Sequence, residues 1–500
     1  MTQLSADVSS GSTPPENDYT IHSAADVSRL VNNSTHGRTN ARIIVAIALG
    51  GVFLDAYDLG ALAFGVKDIT RQFGLSPSGI GMVVSAITLG AIVGAVIGGY
   101  LTDKIGRYRV FMADMFFFVF AALLGALAPN AEVLGISRFI MGLGIGIDLP
   151  VAMAFLAEFS RLKGRGNKAS SIAMWCPTWY AAISVSYLLV LGLFYSLPAS
   201  QSEYLWRYIV GFGAVPALVI LTVRKRYMTE SPVWAAQQGD LTSAASILQT
   251  AYNIPATVGK DAVLHAKKGL KRRTTGWKSY GVLLKGEYLK RTVLNSVMSF
   301  VSPFAYAAIA FGLPIIISTL FKQSMLTTIL VSLALNLLFA FTGGLAAVRL
   351  VPKLGSRSMT IAGYTCQLVA LLGLALAGRP EDTAQAVACC AFLALFLLGQ
   401  GFGPGAHTMV YASLSYPASI RGVGVGFNQT ITRFSSTLAL FLFPILTASL
   451  DTGLFWVIAL SPVIGLLALF IIRWEPSGYD VDAEDYASVK HENTQPGGGV

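Results

Sequence analysis

Twelve apolar runs, each long enough to cross a lipid bilayer as one helix, lie along this chain of 500 residues. A bilayer core is about 30 Å thick and a helix rises about 1.5 Å per residue, so a spanning helix needs roughly 20 mostly apolar residues. The runs lie at 42–64, 79–101, 110–128, 133–158, 169–197 and 205–223, and, after a polar stretch, at 294–320, 325–348, 358–378, 386–413, 424–450 and 454–472. This pattern predicts an all-α membrane protein with twelve transmembrane helices in two six-helix halves.

The composition excludes a soluble protein of this length. Hydrophobic residues make up 54% of the chain, charged residues make up 12%, and the mean hydropathy is +0.61. All four cysteines lie inside apolar runs, at Cys176, Cys366, Cys389 and Cys390. Their spacing matches no metal site, so we expect neither disulfides nor a bound metal. The glycines of Gly142–Gly146 follow no strand and form no phosphate-binding loop, and we expect neither enzyme activity nor a cofactor.

Lysine and arginine cluster in the loops that follow the even-numbered runs. They are Lys104, Arg107 and Arg109 after the second run, Arg161, Lys163, Arg165 and Lys168 after the fourth, Lys267, Lys268, Lys271, Arg272 and Arg273 in the central loop, and Arg349, Lys353 and Arg357 after the eighth. Because basic loops are retained in the cytoplasm, we expect both termini there, in a multi-pass protein of the cell's inner (plasma) membrane. These loops also account for the net charge of +10, which therefore indicates no nucleic-acid partner.

The runs and the polar stretches divide the chain into five parts. Residues 1–41 form a polar leader without the basic region and cleavage site of a secretory signal, and we expect a disordered cytoplasmic tail. The two six-helix halves are 42–224 and 291–473, joined by a cytoplasmic central loop over 225–290. Residues 474–500 are again polar and are predicted to form a second cytoplasmic tail.

The two halves carry similar features at corresponding places. In the fourth run the glycines of Gly142–Gly146 precede Arg165-Gly166, and in the tenth run those of Gly399–Gly403 precede Arg421-Gly422 at almost the same spacing. Such repeats are typical of carriers, in which the substrate binds between the repeats near the middle of the bilayer. The glycines would let the halves slide on each other, although ordinary tight packing is the simpler explanation for any single glycine.

The loop after the second run has the pattern Gly99-x-x-x-Asp103-Lys104-x-Gly106-Arg107-x-Arg109. It resembles the signature between helices two and three of the major facilitator superfamily, and a weaker copy, Lys353-Leu354-Gly355, follows the eighth run. The resemblance implies the major facilitator fold, with two pseudo-symmetric six-helix bundles. It also implies that Asp103 and Arg107 close the cytoplasmic side through charge-assisted contacts with a neighbouring helix end.

Further motifs resemble the sugar-porter and metabolite:proton symporter branches of that superfamily. They are Arg138-Phe139 before the fourth-run glycines, Glu158 and Arg165-Gly166 after them, Glu230-Ser231-Pro232-Val233-Trp234 after the sixth run, and Tyr416-Pro417 leading to Arg421-Gly422. The resemblance therefore adds Glu158, Arg165 and Arg421 to the predicted gating residues Gly99, Asp103, Lys104, Gly106, Arg107 and Arg109. Relatives usually carry an acid directly before the Tyr-Pro pair. This chain has Ser415 there, so its C-terminal gate is expected to be weaker or locked differently.

The first run carries a motif that indicates a particular branch of the superfamily. Asp55-Ala56-Tyr57-Asp58 is similar to the Asp-Gly-aromatic-Asp motif of aromatic-acid:proton symporters, with Ala56 in place of the usual glycine. Asp148 followed by Pro150 also resembles the phosphate:proton symporters. Those carriers place a Trp and an Asp on helix seven, and neither occurs between residues 294 and 320, which ranks phosphate low.

Ionisable residues inside the runs are candidates for function, because a charge at the bilayer centre costs at least about 2.5 kcal/mol on insertion scales. They include Asp55 and Asp58 in run one, Arg138 and Asp148 in run four, His407 in run ten and Arg433 in run eleven. From the helical rise, Asp58 and Arg138 lie at one level, roughly 6 to 7 Å below the outer surface. We therefore predict proton coupling by Asp58 and Arg138, with Asp55 and Asp148 as the alternatives. A static ion pair is the other explanation.

Polar and aromatic stripes predict the walls of a substrate site. The predicted substrate-binding residues are Trp175, Trp179 and Tyr180 in run five, Asn295, Ser299 and Tyr306 in run seven, Gln400 and His407 in run ten, and Asn428 and Arg433 in run eleven. Stacked aromatic rings would hold a ring-shaped substrate. The same residue types also serve helix packing, and a lone buried histidine does so more often than it binds a ligand.

These features predict a proton-coupled secondary transporter that imports a small organic metabolite by alternating access. The paired aspartates of run one and the cations of the C-terminal half favour an aromatic or other carboxylate as the substrate. A sugar or polyol:proton symporter is the main alternative, and a phosphate symporter, an exporter and a non-transporting sensor stay open. We expect a monomer whose partners are its substrate, protons and the lipid bilayer.

Overall fold

The structure, a computed structural model, describes residues 19–33, 38–61, 66–159, 167–198, 204–259, 278–311 and 325–484, together with Gln201, Leu313, Ile316 and Ile317. The regular structure in these ranges is almost entirely helical. We number the helices at the predicted runs as spans 1 to 12 in chain order.

Spans 1 to 6 form the N-terminal half. They are Arg38–Ala61 (span 1), Pro77–Ile105 (span 2), Arg107–Ala126 (span 3), Ala131–Phe159 (span 4), Asn167–Ala173 with Trp175–Ser196 (span 5), and Leu205–Phe212 with Ala214–Tyr227 (span 6). A short helix, Val66–Phe73, precedes span 2, and two more, Pro232–Gln237 and Leu241–Tyr252, follow span 6.

Spans 7 to 12 form the C-terminal half. They are Gly286–Tyr306 with the π-helical turn Ala307–Phe311 (span 7), Met325–Leu335 with the π-helical turn Asn336–Phe341 and Thr342–Leu354 (span 8), Ser356–Ala377 (span 9), Thr383–Phe402 with Pro404–Leu414 (span 10), Arg421–Leu450 (span 11) and Leu454–Ile471 (span 12). Lys278–Leu283 precedes span 7, and the 3₁₀ turn Asp451–Gly453 precedes span 12.

The helices occupy the predicted runs in order, which confirms the predicted fold class. In the described part of the chain, ten helices are long and apolar enough to cross a membrane. Arg38–Ala61 and Arg421–Leu450, of 24 and 30 residues, complete the two sets of six.

Glycines set the distance between spans 2 and 4 in the N-terminal half. A Cβ atom at Gly142 would meet the carbonyl oxygen of Ile87, and one at Gly146 would meet that of Ala91. Backbones that approach this closely leave room for hydrogen atoms only. Tight packing within one half therefore accounts for these fourth-run glycines.

A second close approach joins the two halves. A Cβ atom at Gly99 on span 2 would lie 2.7 Å from the carbonyl oxygen of Gly422, and one at Gly426 on span 11 would lie 2.7 Å from that of Ala95. These residues lie at the end of the bundle that carries Lys104, Arg107 and the other basic loops, which we call the basic end. The two halves are thus in backbone contact at the basic end.

Several spans are interrupted along their length. Span 10 breaks at Gly403 (φ −104°, ψ −119°) and restarts at Pro404, which suits a first helical position because no intrahelical partner is required there. Span 5 breaks between Ala173 and Trp175. The π-helical turns of spans 7 and 8 are interruptions of a kind that is frequent at functional sites.

Residues 19–33 are folded, although the sequence predicted a disordered leader over residues 1–41. Strand β1, Tyr19–Ile21, pairs in parallel with strand β2, Ala256–Val258, of the central loop. The helix Ala24–Asn33 follows β1 and packs on the two short helices after span 6.

The leader folds because its few apolar residues share one face. Ile21, Val27 and Val31 are at most 1% exposed and belong to the same core cluster as residues of the short helices after span 6. Val27 and Val31 are four residues apart, which is the helical repeat. Composition alone does not reveal such a stripe in a polar segment. The other leader residues, 1–18 and 34–37, lie outside the described residues.

The first part of the predicted C-terminal tail also lies against the bundle. The indole N–H of Trp474 donates to the hydroxyl of Ser415 at 3.0 Å. Glu484 forms an ion pair with Arg291 at the start of span 7, with 2.8 Å between the charged atoms. Residues 485–500 lie outside the described residues.

We expect Gly142→Ala to lower the melting temperature of the purified protein, because the added methyl group would push span 4 away from the backbone of span 2. Overpacking of this kind costs about 1 to 3 kcal/mol. Gly135→Ala on the same helix is the matched control, since nothing lies within 4 Å of its Cβ position. Equal melting temperatures for the two variants would contradict the packing role of Gly142.

Candidate functional site

A cavity lies between the two halves and takes its walls from both. It occupies about 820 Å³, including space open to solvent. The N-terminal half contributes Thr88, Leu149, Trp175, Cys176, Trp179 and Tyr180, and the C-terminal half contributes Ser302, Pro303, Tyr306, Gln400, Gly405, Thr408, Met409, Gln429, Thr432, Arg433, Ser436 and Leu440. Among the predicted substrate-binding residues, the lining includes Trp175, Trp179, Tyr180, Tyr306, Gln400 and Arg433.

Aromatic side chains form one part of this lining. The rings of Trp175 and Trp179 meet edge to face with centroids 6.0 Å apart, and those of Tyr180 and Tyr306 do so at 6.1 Å. The indole of Trp175 donates to the carbonyl oxygen of Ala406 at 3.0 Å, and that of Trp179 donates to the hydroxyl of Tyr306 at 3.2 Å. Because both indole N–H groups are bonded within the protein, this part of the lining offers mainly apolar ring surface to a ligand.

Amide side chains form a polar part of the lining. Gln367, buried on span 9, donates to the side-chain oxygen of Gln400. The amide nitrogen of Gln400 in turn donates to the hydroxyl of Ser302 at 3.3 Å. Gln367, which does not itself line the cavity, thus fixes the orientation of the Gln400 side chain. In the part of the chain that the structure describes, the side-chain oxygens of Gln429 and Thr432 are buried without a hydrogen-bond partner.

Arg433 on span 11 brings a positive charge to the lining. Its side chain is buried, and its Nε has no hydrogen-bond partner among the described residues. No carboxylate of those residues lies within ion-pair distance of it, and the acidic group that influences it electrostatically is Asp55. A guanidinium carries five N–H donors, so Arg433 can donate hydrogen bonds to an anionic ligand.

Four predicted substrate-binding residues do not line the cavity. Asn295 donates to the carbonyl oxygen of Tyr411 at 3.3 Å, and Ser299 donates to the side-chain oxygen of Asn428 at 3.2 Å. These bonds join span 7 to spans 10 and 11. His407 is fully buried just after the Gly403 break of span 10. The contacts of Asn295, Ser299 and Asn428 fit helix packing, the alternative that the sequence left open.

Asp58 and Arg138, predicted to lie at one level, are in contact. The guanidinium of Arg138 donates to the backbone carbonyl oxygen of Asp58 at 3.0 Å, and both side chains are buried. The neighbouring Tyr57 donates its hydroxyl to the carbonyl oxygen of Ile209 on span 6 at 2.9 Å. Spans 1, 4 and 6 therefore meet at this point.

A second buried cluster of charges lies within the N-terminal half. Arg224 on span 6 pairs with Asp114 on span 3 and Asp148 on span 4, each at 2.8 Å, and all three side chains are inaccessible to solvent. Gly51 on span 1 faces this cluster, because a Cβ atom there would meet both Asp148 and Arg224. Sequence analysis missed Asp114 and Arg224. A charge inside the third run and an arginine at the end of the sixth were the available signals.

Asp55 on span 1 is a further buried carboxylate of the N-terminal half. Its side chain is fully buried, and neither carboxylate oxygen accepts a hydrogen bond from the residues that the structure describes. Asp148 of the buried cluster and Arg433 of the cavity lining both act on it electrostatically. A buried carboxylate without donors is costly when charged, which makes Asp55 a group that can hold a proton.

The predicted gating loop connects the halves at the basic end. The guanidinium of Arg107 donates to the carbonyl oxygen of Ala418 at 3.0 Å and lies 3.6 Å from the carboxylate of Asp103. Asp103 accepts a hydrogen bond from the backbone N–H of Val423 at 2.9 Å. Two residues of the N-terminal half thus hold the start of span 11.

Glu230 of the predicted Glu-Ser-Pro motif caps span 3. Its carboxylate accepts from the backbone N–H groups of Arg107 at 2.8 Å and Tyr108 at 3.1 Å. Gly106 has φ +114°, and a side chain there would also collide with Glu230. Burial raises the pKa of the Glu230 carboxyl, while these N–H groups and the charge of Arg107 oppose the rise.

The C-terminal half repeats this cap with a residue that sequence analysis missed. Glu475 accepts from the N–H groups of Ser356 and Arg357, each at 3.0 Å, beside Gly355 at φ +80°. The sequence repeat that ends in Gly106 and Gly355 therefore extends to a glutamate. Glu475 escaped notice because it stands in a segment that reads as a polar tail.

The other predicted gating residues differ in their surroundings. Lys104 is exposed and donates to the hydroxyl of Tyr100 at 2.9 Å, and Arg109 is also exposed. Arg421 donates to the carbonyl oxygen of Ser413 at 2.9 Å and forms an ion pair with Asp482. Arg165 and the side chain of Glu158 lie outside the described residues.

Comparison with known proteins gives a consistent result. Residues 43–483 match the family model described as "Sugar (and other) transporter". The inner membrane metabolite transport protein YgcS of Escherichia coli is 26% identical over 86% of this chain and 90% of its own, and the niacin transporter NiaP of Acinetobacter baylyi is 26% identical over 83% and 89%. The glucose transporter GlcP of Staphylococcus epidermidis is 26% identical over 87% and 93%.

A solved structure has the same fold. The proton:xylose symporter XylE of E. coli, bound to 6-bromo-6-deoxy-D-glucose, superposes with a TM-score of 0.76 over 90% of this chain and 100% of its own. Sequence identity in this comparison is 19%. The arrangement of twelve helices in two halves is therefore that of the major facilitator superfamily.

We expect Arg224→Leu to destabilise the protein strongly, because Asp114 and Asp148 would lose the cation between them. Breaking a buried ion pair by removing one partner costs about 3 to 5 kcal/mol. Arg226→Leu, an exposed arginine of the same helix, is the matched control and should change little. The check is the melting temperature of both purified variants, and equal values would contradict a structural role for the cluster.

Proposed function

The chain belongs to the sugar (and other) transporter family, and we propose that it is a proton-coupled carrier that imports a ring-bearing carboxylate by alternating access. Family and fold make it a multi-pass membrane transporter of the major facilitator type and not an enzyme. The substrate class, the proton coupling and the direction of transport form the proposal.

The observation that carries the substrate class is Arg433 in the aromatic cavity. A buried guanidinium with a free Nε, and without an ion pair among the described residues, is best satisfied by an anion that enters with the substrate. The rings of Trp175, Trp179 and Tyr306 supply apolar surface on which a planar ring can stack. A small aromatic acid meets both requirements in one molecule.

One of the relatives supports this choice. NiaP is named as a transporter of niacin, which is itself an aromatic carboxylate. Its identity of 26% to this chain leaves the substrate open, and the proposal therefore rests on the cavity first.

A sugar is the second candidate. The family name and GlcP favour it, and Gln400 and Gln429 can exchange hydrogen bonds with hydroxyl groups. A neutral sugar, however, would leave the charge of Arg433 unbalanced. The two candidates therefore differ in how strongly binding depends on Arg433.

For proton coupling we propose Asp58 with Arg138. Both side chains are buried, and the guanidinium of Arg138 bonds the backbone carbonyl oxygen of Asp58, which keeps this charge beside the aspartate. An aspartate beside a guanidinium can alternate between a paired and a protonated state. Asp55 and Asp148 are the alternatives. Asp55 is the stronger of these, since it has no hydrogen-bond donor among the described residues and is influenced by Arg433.

For gating we propose Asp103, Arg107 and Arg421 at the basic end, which the positive-inside pattern assigns to the cytoplasm. The contacts of Asp103 and Arg107 hold the halves together at this end, and Arg421 pairs with Asp482 beside them. The carrier in this state would receive substrate from the opposite side of the plasma membrane. Release of these contacts would then deliver the substrate to the cytoplasm.

We expect Arg433→Gln to weaken the binding of benzoate or nicotinate by about 1.5 to 3 kcal/mol, the range for hydrogen bonds to charged groups. The measurement is the ligand-induced rise in melting temperature of the purified protein. Nicotinamide, a neutral analogue of nicotinate, should bind weakly to the native protein and be indifferent to the change.

Arg349→Gln, an exposed arginine on span 8, is the control for this experiment and should leave binding unaltered. If glucose or xylose stabilises the native protein while the acids do not, the carboxylate proposal fails. The sugar candidate then takes its place.

We expect Asp58→Asn to abolish accumulation of substrate driven by a pH gradient, because asparagine cannot take up a proton. Exchange of labelled for unlabelled substrate should survive, since exchange needs no net proton movement. Arg138→Ala should impair both activities because it removes the partner of Asp58. The measurements are uptake into proteoliposomes with and without a pH gradient, and counterflow.

The control for this pair of assays is Asp68→Asn, which removes a carboxylate paired with the exposed Arg71 outside the membrane spans. It should leave both activities intact. If Asp58→Asn still concentrates substrate, the coupling role moves to Asp55 or Asp148.

A further inference from the structure

The chain that follows span 12 runs across the basic end and places one carboxylate between the two halves. Asp482 is 5% exposed. Its carboxylate pairs with Arg421, at the start of span 11, and accepts a hydrogen bond from the backbone N–H of Ala418 at 3.0 Å. On the other side it pairs with Lys168, at the start of span 5, at 3.1 Å. Asp482 therefore links a cation of the N-terminal half to a cation of the C-terminal half.

The surroundings of Asp482 favour its charged form. Burial alone would raise the pKa of this carboxyl, but Arg421 and Lys168 hold it well below its usual range. Lys168 is as buried as Asp482, at 5% exposure. Asp480, the neighbouring acid of the same segment, is exposed and forms no ion pair with either cation among the described residues, although both charges act on it at longer range.

The end of span 10 does not supply a carboxylate at this place. The hydroxyl of Ser415 accepts from the indole of Trp474, and its carbonyl oxygen accepts from Arg291 at 3.3 Å. The carboxylate that pairs with Arg421 within the described residues comes instead from the tail, 61 positions along the chain. The sequence predicted that the gate of the C-terminal half is weaker or locked differently. In the structure, the segment after span 12 supplies the carboxylate that pairs with Arg421.

We propose that Asp482 is the detachable carboxylate of the cytoplasmic gate, and that the C-terminal tail thereby sets the balance between the closed and open forms of the basic end. This proposal rests on the alternating access of the proposed function. It adds to the gate a residue, Asp482, that lies outside the twelve spans. While the basic end is closed, Asp482 binds both halves. When the halves separate, it must leave Lys168 or Arg421.

The physical reason is that the link exists in one state only. Lys168 and Arg421 belong to different halves, so one short side chain cannot bridge them after the basic end opens. Two cations buried together without Asp482 would repel each other, which favours separation and hydration. An interaction made in only one of two states shifts the equilibrium by its own free energy.

The test measures the opening of the basic end without any substrate. Spin labels are placed at Ile105→Cys and Leu354→Cys, the exposed last residues of spans 2 and 8, after replacement of the four native cysteines. Distances between the labels are recorded by pulsed electron resonance on the full chain in lipid. The variants compared are Asp482→Asn, Asp480→Asn as the matched control, and a chain that ends after Ser477.

We expect Asp482→Asn and the shortened chain to raise the ratio of long to short distances by roughly 5- to 150-fold, the range of typical coupling free energies. Asp480→Asn should give the native distribution. Lys168→Gln should act in the same direction as Asp482→Asn, because it removes the cation of the N-terminal half while leaving Arg421 paired. This second variant also serves if Asp482→Asn does not fold.

A native distance distribution in Asp482→Asn and Lys168→Gln would overturn the proposal. The same holds if Asp480→Asn opens the basic end as much as Asp482→Asn, since a general loss of tail charge would then explain the effect. Because no ligand is added, these outcomes are independent of the substrate and proton assays. Failure of the gate proposal and failure of the proposed function are therefore distinguishable.

Discussion

A charge removed from water must find a partner inside the protein, and this constraint organises the molecule. Arg224 lies between Asp114 and Asp148, and Arg138 contacts Asp58, in the N-terminal half. Ion pairs such as those of Arg224 repay the desolvation of each ion only where the geometry is good. The charges that lack a direct partner among the described residues, Asp55 and Arg433, are then the ones most open to a proton or an anion. Structure and proposed function thus follow from the same electrostatic rule.

The basic end uses the same interaction for another purpose. Within each half, a half-buried glutamate caps the helix that follows the signature loop, Glu230 in one half and Glu475 in the other. Between the halves, Arg107 and Asp103 hold the start of span 11, while Asp482 ties it to span 5. When these hydrogen bonds and ion pairs break, the freed polar groups bond to water instead. Such contacts can therefore close the bundle reversibly. Apolar side chains that face lipid meet apolar atoms whether the basic end is closed or open, so they favour neither state.

The cavity lies close to the buried charges of the N-terminal half. Its lining comes from both halves, and Arg433 lies close enough to Asp55 for each to affect the charge of the other. Asp55 in turn is influenced by Asp148 of the buried cluster. An anion bound at Arg433 would change the balance that Asp55 experiences, which is the kind of linkage that coupled transport needs. The proposed substrate-binding residue Arg433 and the candidate proton-binding residue Asp55 are therefore close enough to interact directly.

The sequence by itself determined the twelve helices, their order in two halves and the intramembrane charges Asp58, Arg138 and Arg433, because lipid leaves a long apolar run few alternatives to a helix. It also indicated six of the residues that line the cavity, since helical spacing places side chains on one face. Which face meets a cavity and which meets another helix depended on the packing of helices far apart in the chain. Only the tertiary structure therefore decided that Asn295 and Ser299 bond to neighbouring helices, that Asp114 and Arg224 meet Asp148, and that Asp482 of a polar tail stands between the halves. Such pairs join residues separated by tens to hundreds of positions, and no local pattern in the sequence encodes their contact.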